Sequence, residues 1–233
     1  MGVSHLIGGP ICDQEKEQEV TTVRILLRSI RLGLAATLAL GCLPSSAETI
    51  VDEWATVKVP SPPELKVVTI DPKTTALLVL DFVSQTCTPE RRPRCVASVP
   101  KVQRLLTEAR SKGVPIVHSL APGGTATNIL PELAPREGEP SVTSGPDKFL
   151  GTDLERILAD KGIRKVIVVG TAAHGAVLHT ASAAALKGLD VVVPVDGMSA
   201  GEAYPEQYTA WHLANAPRIG DRVTLTSVDR VRY

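Results

Sequence analysis

The chain has 233 residues, with 25 Lys and Arg against 25 Asp and Glu, so its formal charge is zero. That length can bury one substantial core, and a neutral balance gives no electrostatic argument for nucleic acid as a partner. Eighteen prolines and only 3% aromatic residues fit a loop-punctuated, aliphatic α/β core.

Residues 1–47 read as a targeting segment. Arg24, Arg28 and Arg31 precede the apolar run Leu32–Leu40, and Ser45-Ser46-Ala47 offers small residues for cleavage before Glu48. The run is too short for a transmembrane helix, so no stable membrane span is expected in the mature form. Leu40-Gly41-Cys42 resembles a lipoprotein box only weakly, because Ala39 stands where a leucine is usual. Soluble export, to a periplasm or beyond, is the expectation. Cleavage would leave Cys87 and Cys95 within one loop rich in proline and charge. In an oxidising compartment such a pair is a disulfide candidate, with two unpaired thiols, or a metal pair lacking its other ligands, as the alternatives.

Residues 48–73 read as an extended arm, since prolines recur too often for a helix interior. The domain proper is expected over 74–233. It opens with a strand, Thr75–Phe82, apolar until Asp81 near its carboxyl end. Ser98 suits an N-cap and Pro100 a first turn, followed by the stripe Val102, Leu105, Leu106 and Ala109. Gly113 ends that helix and Val114–His118 forms the next strand. Ala121–Pro146 is a long stretch with little periodicity. Thr152 and Glu155 form a capping box for a helix that Gly162 stops.

Val166–Val169 is a continuous β-branched run, suited to a parallel strand covered on both faces, and Gly170 ends it. From His174 the apolar positions Val177, Leu178, Ala181 and Ala185 fall at helical spacing, until Gly188 gives way to Val191–Val193. His179 lies off this stripe and reads as a surface residue. Tyr208, Trp211 and His212 have helical spacing, and Arg222–Thr226 can add a last strand. Alternating strands and helices give an α/β fold with a mostly parallel, Rossmann-like sheet. Ligands bind such sheets at the carboxyl ends of the strands, which places Gly170–Ala176 at an active-site position. No G-x-G-x-x-G, no GK[ST] ending and no metal-ligand spacing occurs, so neither cofactor nor metal is expected.

The order of LLVLDF, FLGTDLERIL, KVIVVGTAAHGAVLHTA and VVVPVDGMSA resembles the isochorismatase-like hydrolase superfamily across Thr75–Thr226. The resemblance implies a three-layer α/β/α sandwich around a six-stranded, mostly parallel sheet. Amidase-type members use an Asp, a Lys and a nucleophilic Cys. Asp81 matches the aspartate. Ala176 stands at the nucleophile position, so this chain looks like an atypical member lacking the cysteine, and no thioester can form there. The gapless lysine position is Thr143, and Lys148 can serve only if the preceding loop is re-routed.

Isochorismatases also lack the cysteine, and Ala173-His174-Gly175-Ala176 is similar to their turn. Their vinyl-ether hydrolysis needs a carboxylic acid to protonate the enol ether, a role Asp81 could take if the lysine stands away from it. The resemblance thus implies a hydrolase of a small, carboxylated molecule, centred on Asp81 with Lys148 and His174. Thr171, Ala172, Gly175 and Ala176 would line the substrate. His174 either donates to the substrate or caps the turn. The alternative is a catalytically inactive binding or scaffold protein that keeps the fold. A homo-oligomer is compatible with either reading.

Overall fold

The computed structural model describes residues 48–233, so the expectations for residues 1–47 lie outside the described residues. A boundary between compact units falls after Thr56. Of the first unit the description covers Glu48–Thr56, where the single-turn helix α1 spans Ile50–Glu53. Thr49 and Asp52 cap it reciprocally: the Thr49 N–H donates to the Asp52 carboxylate at 2.9 Å.

The second unit is built on parallel strands. They are β1 (Val68–Thr69), β2 (Thr75–Leu80), β3 (Ile116–Leu120), β4 (Ser141–Thr143), β5 (Lys165–Thr171), β6 (Asp190–Pro194), β7 (Met198–Ser199), β8 (Val223–Thr226) and β9 (Val231–Arg232). Six of them run in the order β4-β3-β2-β5-β6-β8, and the two-residue β7 adds to β5 beyond the end of β6. Every pairing is parallel, and β1 and β9 form a separate parallel pair. The six-stranded α/β fold is therefore present, with β7 as an addition at its carboxyl edge.

All six residues of β2 are buried, because a central parallel strand has no solvent face. Alternate residues feed two cores. Leu78, Leu80, Val166 and Val168 belong to one, with Val177, Ala181, Ala184 and Leu213. Leu77, Val79, Ile167 and Val169 belong to the other, with Val102, Leu105 and Leu106. Helix α2 (Pro93–Ser111) thus covers one face. Helices α4 (Leu178–Leu186) and α5 (Ala203–Asn215) cover the opposite one, joined by Leu154 and Leu158 of α3 (Leu154–Asp160).

Several boundaries differ from the sequence reading. Helix α2 begins at Pro93 rather than near Ser98. Proline at the first helical position forfeits only an N–H that would be unpaired there, and Pro93 takes that place. Pro100 then lies inside the helix, and the Ser98 hydroxyl donates back to the Cys95 carbonyl at 2.7 Å. The Ala121–Pro146 stretch holds two single turns of 3₁₀ helix, Ala126–Asn128 and Pro131–Leu133, before β4. The Thr152 hydroxyl accepts from the Leu154 N–H at 3.2 Å, but Glu155 pairs with Lys187 at 2.6 Å instead of closing a capping box.

Candidate active site

The carboxyl ends of β2, β3 and β5 converge because Gly170 lets two strands approach closely. It lies within β5, not at its end, and pairs with Leu80. A Cβ on Gly170 would stand 2.6 Å from the Leu80 Cβ and 2.8 Å from the Leu80 carbonyl oxygen, which no real side chain tolerates. Directly after Leu80, Asp81 adopts φ +56°. Left-handed backbone is costly for a residue with a Cβ and persists where the surroundings hold it. Here the Asp81 N–H donates to the Ser119 carbonyl at 3.3 Å, and the Val83 N–H donates to the Asp81 carbonyl at 2.9 Å.

The Asp81 side chain is held from two sides. The Ser119 hydroxyl, at the end of β3, donates to Oδ1 at 2.8 Å. The Lys148 Nζ stands 2.8 Å from Oδ2, with its side chain 1% exposed against 16% for Asp81. Lys148 also donates to the carbonyls of Ser144 at 3.0 Å and Leu120 at 3.3 Å. An ammonium has three protons, and each has an acceptor. That satisfaction matters, since an unpaired ammonium at this depth would cost several kcal/mol, on the order of the Born penalty after relaxation.

The route of the lysine corrects the gapless reading. Thr143 is the last residue of β4, exposed at the sheet edge beyond Leu120. The chain then turns through Ser144–Asp147 and carries Lys148 inward, where its N–H donates to the Thr180 hydroxyl of α4 at 3.2 Å. Both carboxylate oxygens of Asp81 thus accept hydrogen bonds, Oδ1 from the Ser119 hydroxyl and Oδ2 from the Lys148 ammonium.

The strand β5 ends at Thr171, whose peptide bond to Ala172 is cis. The following turn, Ala173–Val177, is one wide π turn that leads into α4, rather than a regular helix from His174. Ala176 is buried there, Ala172 and Gly175 are half-buried, and His174 is exposed. Among the described residues, no hydrogen bond ties His174 to Asp81 or Lys148. Asp81, Lys148, Thr171 and the turn therefore share one edge of the sheet, with His174 on its outer side. The sequence reading had no place for Ser119, although it follows a strand neighbouring that of Asp81. It also passed over Arg92, whose Nη1 donates to the Thr171 hydroxyl at 3.1 Å.

Cys87 and Cys95 are bonded to each other at 2.03 Å. A cavity of about 330 Å³ opens beside α2, lined by Arg94, Ser98, Lys101, Asp196, Met198 and Glu206, and touches neither Asp81 nor Lys148. Among the described residues, no cluster of three His, Cys, Asp or Glu is placed to hold a metal ion.

A parallel α/β sheet with a buried Asp–Lys pair at its carboxyl edge, and a turn of small residues beside it, defines an α/β domain whose polar groups gather at the strand ends. Residues 75–226 match the isochorismatase domain model, and the chain belongs to that family. It is 38% identical over 113 residues to the secreted isochorismatase effector Isc1 of Verticillium dahliae, spanning 44% of this chain and 60% of that protein. It is 32% identical over 160 residues to an N-carbamoylsarcosine amidase of an Arthrobacter species, spanning 56% of this chain and 59% of that protein. The chain thus spans about three fifths of the length of these curated relatives. An isochorismatase-like hydrolase structure from Alkaliphilus metalliredigens superposes with a TM-score of 0.61 at 24% identity, covering 67% of this chain and 96% of that one.

Proposed function

We propose that the chain hydrolyses a small, carboxylated molecule at a cysteine-free site, with water in place of a thiolate. The observation that carries this reading is the buried Asp81–Lys148 pair, kept beside a turn where Ala176 offers no nucleophile. A buried ion pair is weak support for stability, so its place at the binding edge favours a chemical role. In this reading water gives a proton to the Asp81 carboxylate while its oxygen bonds to the substrate's electrophilic carbon. The bond from that carbon to the leaving heteroatom then breaks, and the leaving group takes the proton from Asp81. Lys148, its three protons already engaged, is a positioning residue that fixes the carboxylate. His174 stands on the exposed side of the turn as a substrate-facing donor, and Thr171, Ala172, Gly175 and Ala176 form the wall.

Export belongs to the same proposal. It is supported by the pattern of residues 24–47, by the Cys87–Cys95 bond and by the secreted Verticillium relative. Ala176 also favours a second reading, a binding or scaffold protein that has lost catalysis. The deciding experiment is a screen of the purified chain against small amides, esters and vinyl ethers. Activity should survive thiol alkylation and fall about a hundredfold or more in Asp81→Asn, the scale of losing a positioned base. Lys148→Ala should fall comparably, since the carboxylate loses its anchor. Wild-type turnover in Asp81→Asn overturns the site, and no turnover on any substrate leaves the scaffold.

A further inference from the structure

Three arginines lie in or next to the loop closed by the disulfide, and their partners differ. Arg91 donates to the Gln85 carbonyl at 2.8 Å, out in solvent. Arg94 forms a two-pronged ion pair with Glu206 of α5. Arg92 is half-buried and, among the described residues, has no carboxylate within ion-pair distance. Among the described residues its guanidinium hydrogen-bonds to the Thr171 hydroxyl alone, at 3.1 Å. Thr171 is one register position past the Leu80–Gly170 pair, which sets it level with Asp81 on the adjoining strand.

A second group at the same edge lacks a partner. Thr171 pairs with Ser199 of β7, and its hydroxyl donates to the Ser199 carbonyl at 3.2 Å. Ser199 is 1% exposed, yet among the described residues its own hydroxyl has no hydrogen-bond partner. Met198 and Ala200 both belong to the core on the α4 and α5 side, so Ser199 between them faces the α2 side, where Arg92 lies. A buried hydroxyl without a partner is costly, and so is a half-buried cation without a counter-charge. One ligand group answers both: a carboxylate accepts from a guanidinium fork and from a hydroxyl at once.

We propose that Arg92, with the hydroxyl of Ser199, is the subsite that takes the substrate's carboxylate, that the Thr171 hydroxyl steadies the guanidinium as an acceptor, and that the Cys87–Cys95 bond holds Arg92 in place. The helix N-cap position of Arg92 lies between the two cysteines, and the Cys95 N–H donates to the Arg92 carbonyl at 2.9 Å, so bridge and arginine are one local unit. Opening the bridge frees the segment from Thr88 to Arg92 while leaving Asp81 and Lys148 on their strands. The inference rests on the hydrolase reading for the word substrate, but its anion specificity can be measured without turnover.

The test is an NMR-detected titration of the oxidised chain with butyrate and with butyramide, its neutral counterpart of nearly equal shape. The wild type should bind butyrate at least tenfold more tightly. Arg92→Gln should erase that preference while its melting temperature stays near wild type, and Arg92→Lys should restore only part of it, lacking the fork. Reduction of the disulfide, or Cys87→Ser with Cys95→Ser, should lower the preference in the same direction. If the wild type shows no preference, or Arg92→Gln keeps it, the subsite is overturned even where hydrolysis depends on Asp81. If the preference follows Arg92 but no substrate is turned over, the subsite stands and the hydrolase reading falls.

Discussion

Lys148 and Thr143 are five positions apart, and the choice between them turns on one short strand. Thr143 closes β4 at the exposed edge, whereas Lys148 is buried against Asp81 after the Ser144–Asp147 turn. A second buried polar group, on the strand that carries Ser119, gives a residue-level prediction. His118 is fully buried and lies 3.0 Å from Glu139, which also takes a two-pronged pair from Arg110. Burial pushes the Glu139 carboxyl up, but hydrogen bonds from Arg110, the Arg136 N–H and His118 outweigh it and hold the group at about 2. Burial likewise pushes the His118 imidazole down, against the upward pull of Glu139. A neutral His118 then donates from Nε2 to Glu139, which leaves Nδ1 as the buried acceptor without a partner.

Both shifts carry the same sign in acid. The unfolded Glu139 binds its proton near the ordinary value of 4.5, and the folded one only near 2, so its contribution is full above 4.5 and lost on the way to 2. The unfolded His118 protonates below about 6.5 while the folded one resists, so stability also begins to fall as pH drops through that value. Denaturant midpoints taken from pH 7 to pH 3 should therefore decline throughout, and Glu139→Gln should flatten the part below pH 4.5. An unchanged acid limb in Glu139→Gln would remove this assignment.

At the scale of the element, the segment from Cys87 to Cys95 decides where α2 starts. The bond closes eight residues of sequence separation and fixes Pro93 at the first helical turn. Ser98 and Pro100 have the right chemistry for a helix start, yet the signal occurs twice, and local sequence does not rank the two prolines. Tertiary context does: beginning at Pro93 lets the buried Cys95 face the core with Val102 and Leu106. In the chain-entropy account a bridge over so short a loop contributes about 2–3 kcal/mol. Urea unfolding with and without reductant should show a lower midpoint on reduction, with an m-value equal or slightly larger because the reduced unfolded chain is less constrained. Equal midpoints would mean the bridge acts only on the local segment that holds Arg92.

At the scale of the whole molecule, the export proposal takes the arginine-rich and apolar stretches of residues 24–40 as a targeting segment and Ser45-Ser46-Ala47 as its cleavage site. Intact-mass measurement of exported protein should find Glu48 at the N-terminus and a mass two protons below the fully reduced chain. A product retained at full length inside the cell would sink the export proposal. Among the described residues, no helix is long and apolar enough to cross a membrane.

Apolar runs such as Thr75–Leu80 and the β-branched Val166–Val169 suit strands covered on both faces, so fold class, strand sequence and the carboxyl-edge position of Asp81 were legible without coordinates. That Ala176 carries no thiol was equally legible, because it depends on residue identity alone. Periodicity carries no information about side chains that meet across long separations, and there the tertiary structure decided. Lys148 reaches Asp81 across 67 positions through a turn without periodic pattern, and Ser119 across 38. Arg92 meets Thr171 across 79 positions, from a helix start that the sequence reading placed near Ser98. Strands bury themselves by local hydrophobic pattern, whereas a polar site is assembled from strand ends whose neighbours in space are set only when the sheet order is fixed.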